Sequence, residues 1–107
     1  MNAPLSRAEL DVLYPRFHQL IGGYFNQDWY DEYDGSVQAA LDDYIAPFEV
    51  HELERTAVEI DTLLAKYGDD QLEQILESLD NNYMYKEDGG YTARTWLEAI
   101  RAHLREG

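Results

Sequence analysis

Apolar residues recur along this chain at the spacing of an α-helix, and no stretch alternates between apolar and polar residues as a half-buried strand does. Leu53, Ala57, Ile60 and Leu64 show the pattern most clearly, since residues three and four positions apart share one face of a helix. Each such stretch also has a polar face, as helices around a shared core do. The sequence predicts an all-α fold, a compact single-domain bundle of about five helices.

Capping and turn residues mark where these helices begin and end. Ser6 has capping-box spacing to Glu9 and predicts a short first helix that ends near Tyr14. Five longer helices are predicted, and the first two have these apolar faces: Phe17, Leu20, Ile21 and Tyr24 after Pro15; and Val37, Leu41, Tyr44, Ile45 and Phe48 after Ser36, where Pro47 ends the helix or opens the next. The third has Leu53, Ala57, Ile60, Leu63, Leu64 and Tyr67 and is stopped by Gly68. The fourth is capped by Asp69 or Asp70 and has Leu72, Ile75, Leu76 and Leu79, and the fifth is capped by Thr92 and has Ala93, Trp96, Leu97, Ile100 and Leu104.

Two glycine and turn-rich stretches interrupt this pattern. Gly22 and Gly23 stand inside the first long helical stripe, where they favour a close helix crossing or a backbone kink over a ligand site. Residues 80–90 are predicted to form a loop because they are rich in turn-forming residues, although Tyr83 and Tyr85 could form a brief extended segment.

Length and composition bound the class of protein. The 107 residues predict one domain over positions 1–107, and a chain of this size buries roughly 65% of its unfolded surface without help from disulfides or metal. There is no cysteine, which excludes thiol chemistry. No apolar run approaches the ~20 residues of a membrane span, and the first residues lack the pattern of a signal peptide. A cytoplasmic protein with no membrane contact is expected.

The charge is strongly negative. Twenty-two acids against eight bases give a net charge of −14, and the stretch from Phe17 to Glu54 has nine acids and no Lys or Arg. Binding to nucleic acid requires clustered basic residues, so no nucleic-acid partner is expected. A field of this sign attracts cationic surfaces instead.

The stretch from Tyr24 to Gly35, YFNQDWYDEYDG, combines five aromatics with four carboxylates and no positive charge. Rigid aromatics and flanking charges are common at protein interfaces. Such a composition also occurs at ordinary helix ends, where the rings reach the core and the acids stay solvated. The composition is therefore compatible both with a partner interface and with an ordinary helix end.

Catalytic and metal-binding patterns are missing from the sequence. His18, His51 and His103 are isolated, and none of the serines lies in a nucleophile-elbow motif. An EF-hand register with Gly35 at loop position six places Tyr30 and Leu41 where carboxylates are required. We expect no catalytic residue, no metal site and no cofactor.

The chain resembles a small helical family of contact-dependent growth inhibition (CDI) immunity proteins. The resemblance rests on YPRFHQLIGGYFNQDWYDEYDG (14–35), ELERTAVEIDTLLAKY (52–67), LEQILESL (72–79) and TWLEAI (95–100), and its most specific part is Tyr24-Phe25 with Gln27-Asp28-Trp29. Histidine is frequent in that family where this chain has Asn26. The resemblance implies a non-enzymatic protein that binds and blocks the toxic C-terminal domain of a delivered effector, often a nuclease.

This implied function agrees with the charge, because a nuclease domain must be basic to hold its polyanionic substrate. Two other functions remain open from the sequence: an acidic helical adaptor or regulator of another basic protein, and a small enzyme that uses carboxylates. The oligomeric state and the identity of the toxin are left open as well.

The predicted partner-binding residues all lie in the aromatic and acidic stretch. Trp29, Tyr30 and Tyr33 are expected to anchor the toxin, while Asp28, Asp31, Glu32 and Asp34 pair with its basic residues. A Trp beside a helix end often fills a core. Tyr33 and the acids Asp31, Glu32 and Asp34 therefore rank above Trp29 as partner contacts.

Overall fold

The computed structural model describes residues 4–106, and the regular structure in that range is helical throughout, with no strand. The helices are α1 (Arg7–Leu13), α2 (Pro15–Tyr24), α3 (Trp29–Glu32), α4 (Val37–Ile45), α5 (Val50–Lys66), α6 (Asp69–Ser78) and α7 (Ala93–Glu106). The all-α bundle is confirmed. Its described part has seven helices, six of them at least seven residues long, where about five were expected.

The sequence also predicted the short first helix, so the helix that it missed is α3, which lies inside the aromatic and acidic stretch. Its four residues make about one turn, too short for an apolar stripe to repeat, so periodicity could not reveal it.

Local caps explain where α1, α4 and α7 begin. Ser6 and Glu9 form the predicted capping box, with the Ser6 hydroxyl accepting from the Glu9 N–H at 3.1 Å. Ser36 caps α4 by accepting from the Ala39 N–H at 3.1 Å, and Thr92 caps α7 by accepting from the Thr95 N–H at 3.1 Å. These three predictions are confirmed.

The junction between α5 and α6 differs from the expectation. Helix α5 ends at Lys66, and Gly68 does not stop it in a left-handed conformation but is the extended N-cap residue of α6. Neither Asp69 nor Asp70 caps α6, because Asp69 already lies in its first turn. Its carboxylate accepts from the Arg94 N–H at 2.8 Å and so supports the start of α7.

The core is formed where α5 packs on α7 and α2, with α6 on α7, and with α1 and α4 on α2. Its polar exception is Thr56, which is fully buried and shares a 3.0 Å hydrogen bond with the Tyr44 hydroxyl. Arg101 and Arg105 of α7 both pair with Asp61 of α5, and these ion pairs join the same two helices at the surface.

Helix α2 receives its N-terminal cap from another helix. Tyr14 gives no side-chain cap, and the Glu59 carboxylate of α5 instead accepts from the Phe17 N–H at 2.9 Å. Burial raises the pKa of Glu59, and this increase outweighs the lowering of the pKa by its hydrogen bonds to the Phe17 and Arg16 backbone. The cap thus places an acid in a half-buried site between two helices.

The paired glycines of α2 lie in a continuous helix and do not mark a tight crossing. Helix α2 runs without interruption from Pro15 to Tyr24. A Cβ atom at Gly22 would lie 3.8 Å from the Leu79 carbonyl oxygen, an ordinary contact, and one at Gly23 would meet nothing. The expectation of a close crossing is therefore wrong, the kink stays a prediction, and no packing requirement explains Gly23.

Candidate protein-binding site

The turn between α2 and α3 is organised by Asn26. Its amide nitrogen donates to the Gly23 carbonyl at 3.2 Å, and its amide oxygen accepts from the Asp28 N–H at 3.0 Å. Asparagine favours such turns because its short side chain can bond neighbouring backbone groups. This turn connects α2 to α3 and brings Trp29 against Phe25 at the end of α2.

Trp29 fixes α3 to the core. Its ring centroid lies 5.6 Å from that of Phe25 and 5.3 Å from that of Tyr83, and both of these rings pack on Trp96. The side chain is 5% exposed. Trp29 therefore has little area to offer a partner, and the ranking that placed it below Tyr33 and the acids agrees with its burial; a direct contact with the toxin stays a prediction.

Tyr30 presents an aromatic ring to solvent from the outer side of α3. It is 62% exposed, with its ring edge-on to Trp29 at a centroid distance of 5.9 Å. Beneath the ring lies Gly35, where a Cβ atom would approach the Tyr30 Cε2 atom to 2.8 Å. The ring is thus supported from two sides although most of it is exposed.

A tight turn closes α3 and holds this arrangement. The Gly35 N–H donates to the Tyr30 carbonyl at 2.9 Å, the six-to-one hydrogen bond of a Schellman motif. Asp34 and Gly35 have φ values of 52° and 73°, so both adopt the left-handed conformation. Asp34 is thereby placed at the exposed rim of the turn, directly before α4 begins.

Tyr33 links α3 to α4. It is half-buried against the core, and its hydroxyl donates to the Asp43 carboxylate at 2.6 Å. Burial, followed by the hydrogen bond to Asp43, raises the pKa of the Tyr33 hydroxyl. Asp43 was not among the predicted site residues, because nothing in the local pattern shows that it meets a side chain ten positions earlier.

The four carboxylates of the stretch are exposed and remain free of ion pairs with the rest of residues 4–106. Asp28, Asp31, Glu32 and Asp34 accept no hydrogen bond from a Lys or Arg side chain, whereas basic side chains pair elsewhere, as Arg105 does with Glu54 and Asp61. These carboxylates therefore form no ion pair within this range, and in the sequence they flank Tyr30, whose ring is exposed. We call residues Asp28, Trp29, Tyr30, Asp31, Glu32, Tyr33 and Asp34 the acidic segment.

The described residues offer no alternative site of a metal-binding kind. No group of three or more His, Cys, Asp or Glu side chains in residues 4–106 is placed to hold a metal ion. None of the helices in this range has the length and apolarity needed to cross a membrane.

Comparison with known proteins identifies the protein family. The family model described as CdiI immunity protein matches residues 13–104. A chain of the crystal structure of the CdiA-CT/CdiI complex from Y. kristensenii 33638 has a TM-score of 0.77 and 32% sequence identity, over 89% of this chain and 96% of that chain. A comparison with curated proteins gives no match.

The chain belongs to the CdiI immunity protein family. The resemblance stated from the sequence is confirmed, and the function class is that of an inhibitor rather than an enzyme. The interpretation as a small carboxylate enzyme is thereby removed.

Proposed function

We propose that this protein binds and neutralises the toxic C-terminal domain of its cognate CDI effector, with the acidic segment as the main contact surface. Membership of the CdiI family and the structural similarity to a chain of a CdiA-CT/CdiI complex support the partner class. The observation behind the choice of surface is the set of exposed, unpaired carboxylates around Tyr30.

The physical argument for this surface combines rigidity with charge. Trp29 and the turn at Gly35 hold α3 in one conformation, so binding requires little ordering of the backbone. Tyr30 supplies exposed aromatic area, and the carboxylates around it steer a cationic surface into place.

We infer that the toxin is a nuclease with a basic substrate-binding face. A domain that holds a polyanion needs clustered Lys and Arg, and an inhibitor with a net charge of −14 excludes nucleic acid from that face by both charge and bulk. Inhibition of this kind happens where the toxin acts. The cytoplasmic location expected from the sequence is part of this proposal.

The partner is tested by co-expression. The C-terminal domain encoded by the neighbouring upstream gene should co-purify with this protein, arrest growth when expressed alone, and become harmless when the two are expressed together. A nucleic-acid degradation assay with the purified toxin domain tests the reaction. Absence of a complex would refute the proposed partner, while a complex with a toxin that leaves RNA and DNA intact would refute the nuclease assignment alone.

The surface is tested by single substitutions measured for both affinity and melting temperature. Tyr30→Ala should weaken binding by roughly 1–4 kcal/mol with a small change in melting temperature. Tyr33→Ala should weaken binding by a similar amount but should also lower the melting temperature, because Tyr33 is half-buried and its hydroxyl donates to Asp43. Trp29→Ala should lower stability first, by about 3–5 kcal/mol, because it removes a core aromatic. Normal binding by the two tyrosine variants would place the contact elsewhere.

A further inference from the structure

A groove of about 430 Å³ lies beside the acidic segment, between α4, the loop at residues 80–90 and α7. Its floor is apolar, formed by the buried side chains of Leu41, Trp96 and Ile100. Tyr91 forms part of its wall and is 37% exposed. The groove is therefore an open slot with an apolar floor, large enough to accept a long side chain of a partner.

The aromatic wall of the groove is held by its loop. The Tyr91 N–H donates to the Tyr85 carbonyl at 2.9 Å, and the Asp88 N–H donates to the Met84 carbonyl at 2.9 Å. At Gly89 there is no room for a side chain, since a Cβ atom would lie 2.3 Å from the Tyr83 hydroxyl and 2.8 Å from the Tyr91 ring. The slot is therefore present before any partner binds, which lowers the entropic cost of binding.

The groove lining carries a negative charge and no Lys or Arg. Glu106 lines its end, and another lining residue, His103, has its Nε2 atom 3.1 Å from the Asp42 carboxylate. An apolar floor, an aromatic wall and a carboxylate at one end together suit a side chain that has an aliphatic stem and a planar cationic head.

The groove and the acidic segment are neighbours in the fold. Tyr83 contributes to the groove and also packs on Trp29 at a centroid distance of 5.3 Å, and Val37 begins α4 two residues after the turn at Gly35. A standard protein interface covers about 800 Å² on each partner, so one docked domain can span both features.

We propose that this groove receives an arginine side chain of the toxin domain, an inference that rests on the proposed function. The stem packs on the apolar floor of the groove and the guanidinium stacks against Tyr91, while Glu106 at the other end of α7 adds to the negative potential. The acidic segment attracts the basic face of the toxin, and the groove fixes its position.

The first test measures the affinity of groove variants for the purified toxin domain from the neighbouring upstream gene. Tyr91→Ala should weaken binding about tenfold or more, while Tyr91→Phe should stay within about twofold because it keeps the ring. Ala99→Lys puts a cation into the groove and should weaken binding at least as much as Tyr91→Ala. Ala102→Lys adds the same charge at an exposed position on α7 and is the matched control.

A double-mutant cycle identifies the occupant. Each arginine of the toxin domain is changed to Ala and measured against wild type and Tyr91→Ala, with melting temperatures recorded for every variant. One arginine should lose its effect on affinity in the Tyr91→Ala background. If only an apolar toxin residue couples to Tyr91, or if Ala99→Lys and Ala102→Lys bind alike, the inference is wrong.

The two proposals fail in different ways in this design. Loss of affinity on changing the acidic segment, with no effect of the groove variants, refutes the groove and leaves the proposed function intact. Absence of any complex with the wild-type protein refutes both.

Discussion

At the scale of single residues, the conformation of the acidic segment depends on two left-handed residues. Asp34 and Gly35 allow the chain to close α3 and enter α4 within a few positions, and Gly35 also leaves space for the Tyr30 ring. The composition of this stretch was compatible with a partner surface and with an ordinary helix end, and it marked Trp29 as a core candidate without separating Tyr30 from Tyr33 by exposure. Burial separates them, because Trp29 faces the aromatic core and Tyr30 faces solvent.

Gly35→Ala should destabilise the protein and displace the Tyr30 ring. The new methyl group meets both an unfavourable φ of 73° and the ring at 2.8 Å, so we expect a loss of about 1–3 kcal/mol in urea unfolding. Gly23→Ala is the matched control, since it lies in α2 with open space around it, and it should raise stability by about 0.5–1 kcal/mol. Equal effects of the two substitutions would contradict this account of Gly35.

At the scale of helices, the bundle depends on caps that come from distant parts of the chain. Glu59 caps α2 from α5, Asp69 supports the start of α7, and the Arg94 guanidinium donates to the Leu64 and Tyr67 carbonyls at the end of α5. Each of these contacts satisfies a helix end that has too few partners in its own sequence.

The cap at Glu59 predicts how two substitutions change the free energy of unfolding. Glu59→Ala leaves the Phe17 N–H without its acceptor and should cost about 1–2 kcal/mol in urea unfolding. Glu59→Gln keeps an acceptor and removes the charge, and it should be neutral or stabilising at neutral pH because burial raises the pKa of Glu59. A loss for the glutamine variant as large as for the alanine variant would show that the charge itself is required.

Local signals predicted most helices, and long-range contacts account for what the sequence did not reveal. Ser6, Ser36 and Thr92 could be assigned because a cap acts within three residues. The role of Asp69 could not be assigned, because its partner lies twenty-five positions later. The groove was missed for the same reason, since α4 and α7 meet only after the chain has folded.

At the scale of the whole molecule, buried tyrosines make stability depend on alkaline pH. Burial is the largest cause that raises the pKa of five hydroxyls, those of Tyr14, Tyr33, Tyr44, Tyr83 and Tyr85, and for Tyr85 the value reaches about 12. The folded protein therefore keeps these protons after the unfolded chain has released them, near pH 10.

The stability provided by these tyrosines should be complete below about pH 10 and should decline as pH rises toward about 12. Urea unfolding measured from about pH 8 to about pH 11, with tyrosinate absorbance as a second signal, tests this prediction. A free energy of unfolding that stays constant across this range would contradict it.

The net charge of −14 makes association with a basic toxin depend on salt. Ions screen surface charges beyond about 10 Å at 0.1 M, so the association rate constant should fall steeply as salt is added, while the dissociation rate changes much less. Stopped-flow mixing at low and high ionic strength measures both. An association rate constant that does not change with salt concentration would mean that the negative charge contributes only to solubility.

The central claim is that the acidic segment is the toxin-binding surface, and one comparison of affinities tests it directly. The variant combining Asp31→Asn, Glu32→Gln and Asp34→Asn is measured against a control of equal charge change, Asp70→Asn, Glu77→Gln and Glu87→Gln, whose residues are exposed on α6 and the following loop. We predict that the first variant loses roughly 1–4 kcal/mol of binding energy at an unchanged melting temperature, while the control binds nearly as the wild type does. Equal affinities for the two variants would contradict the account.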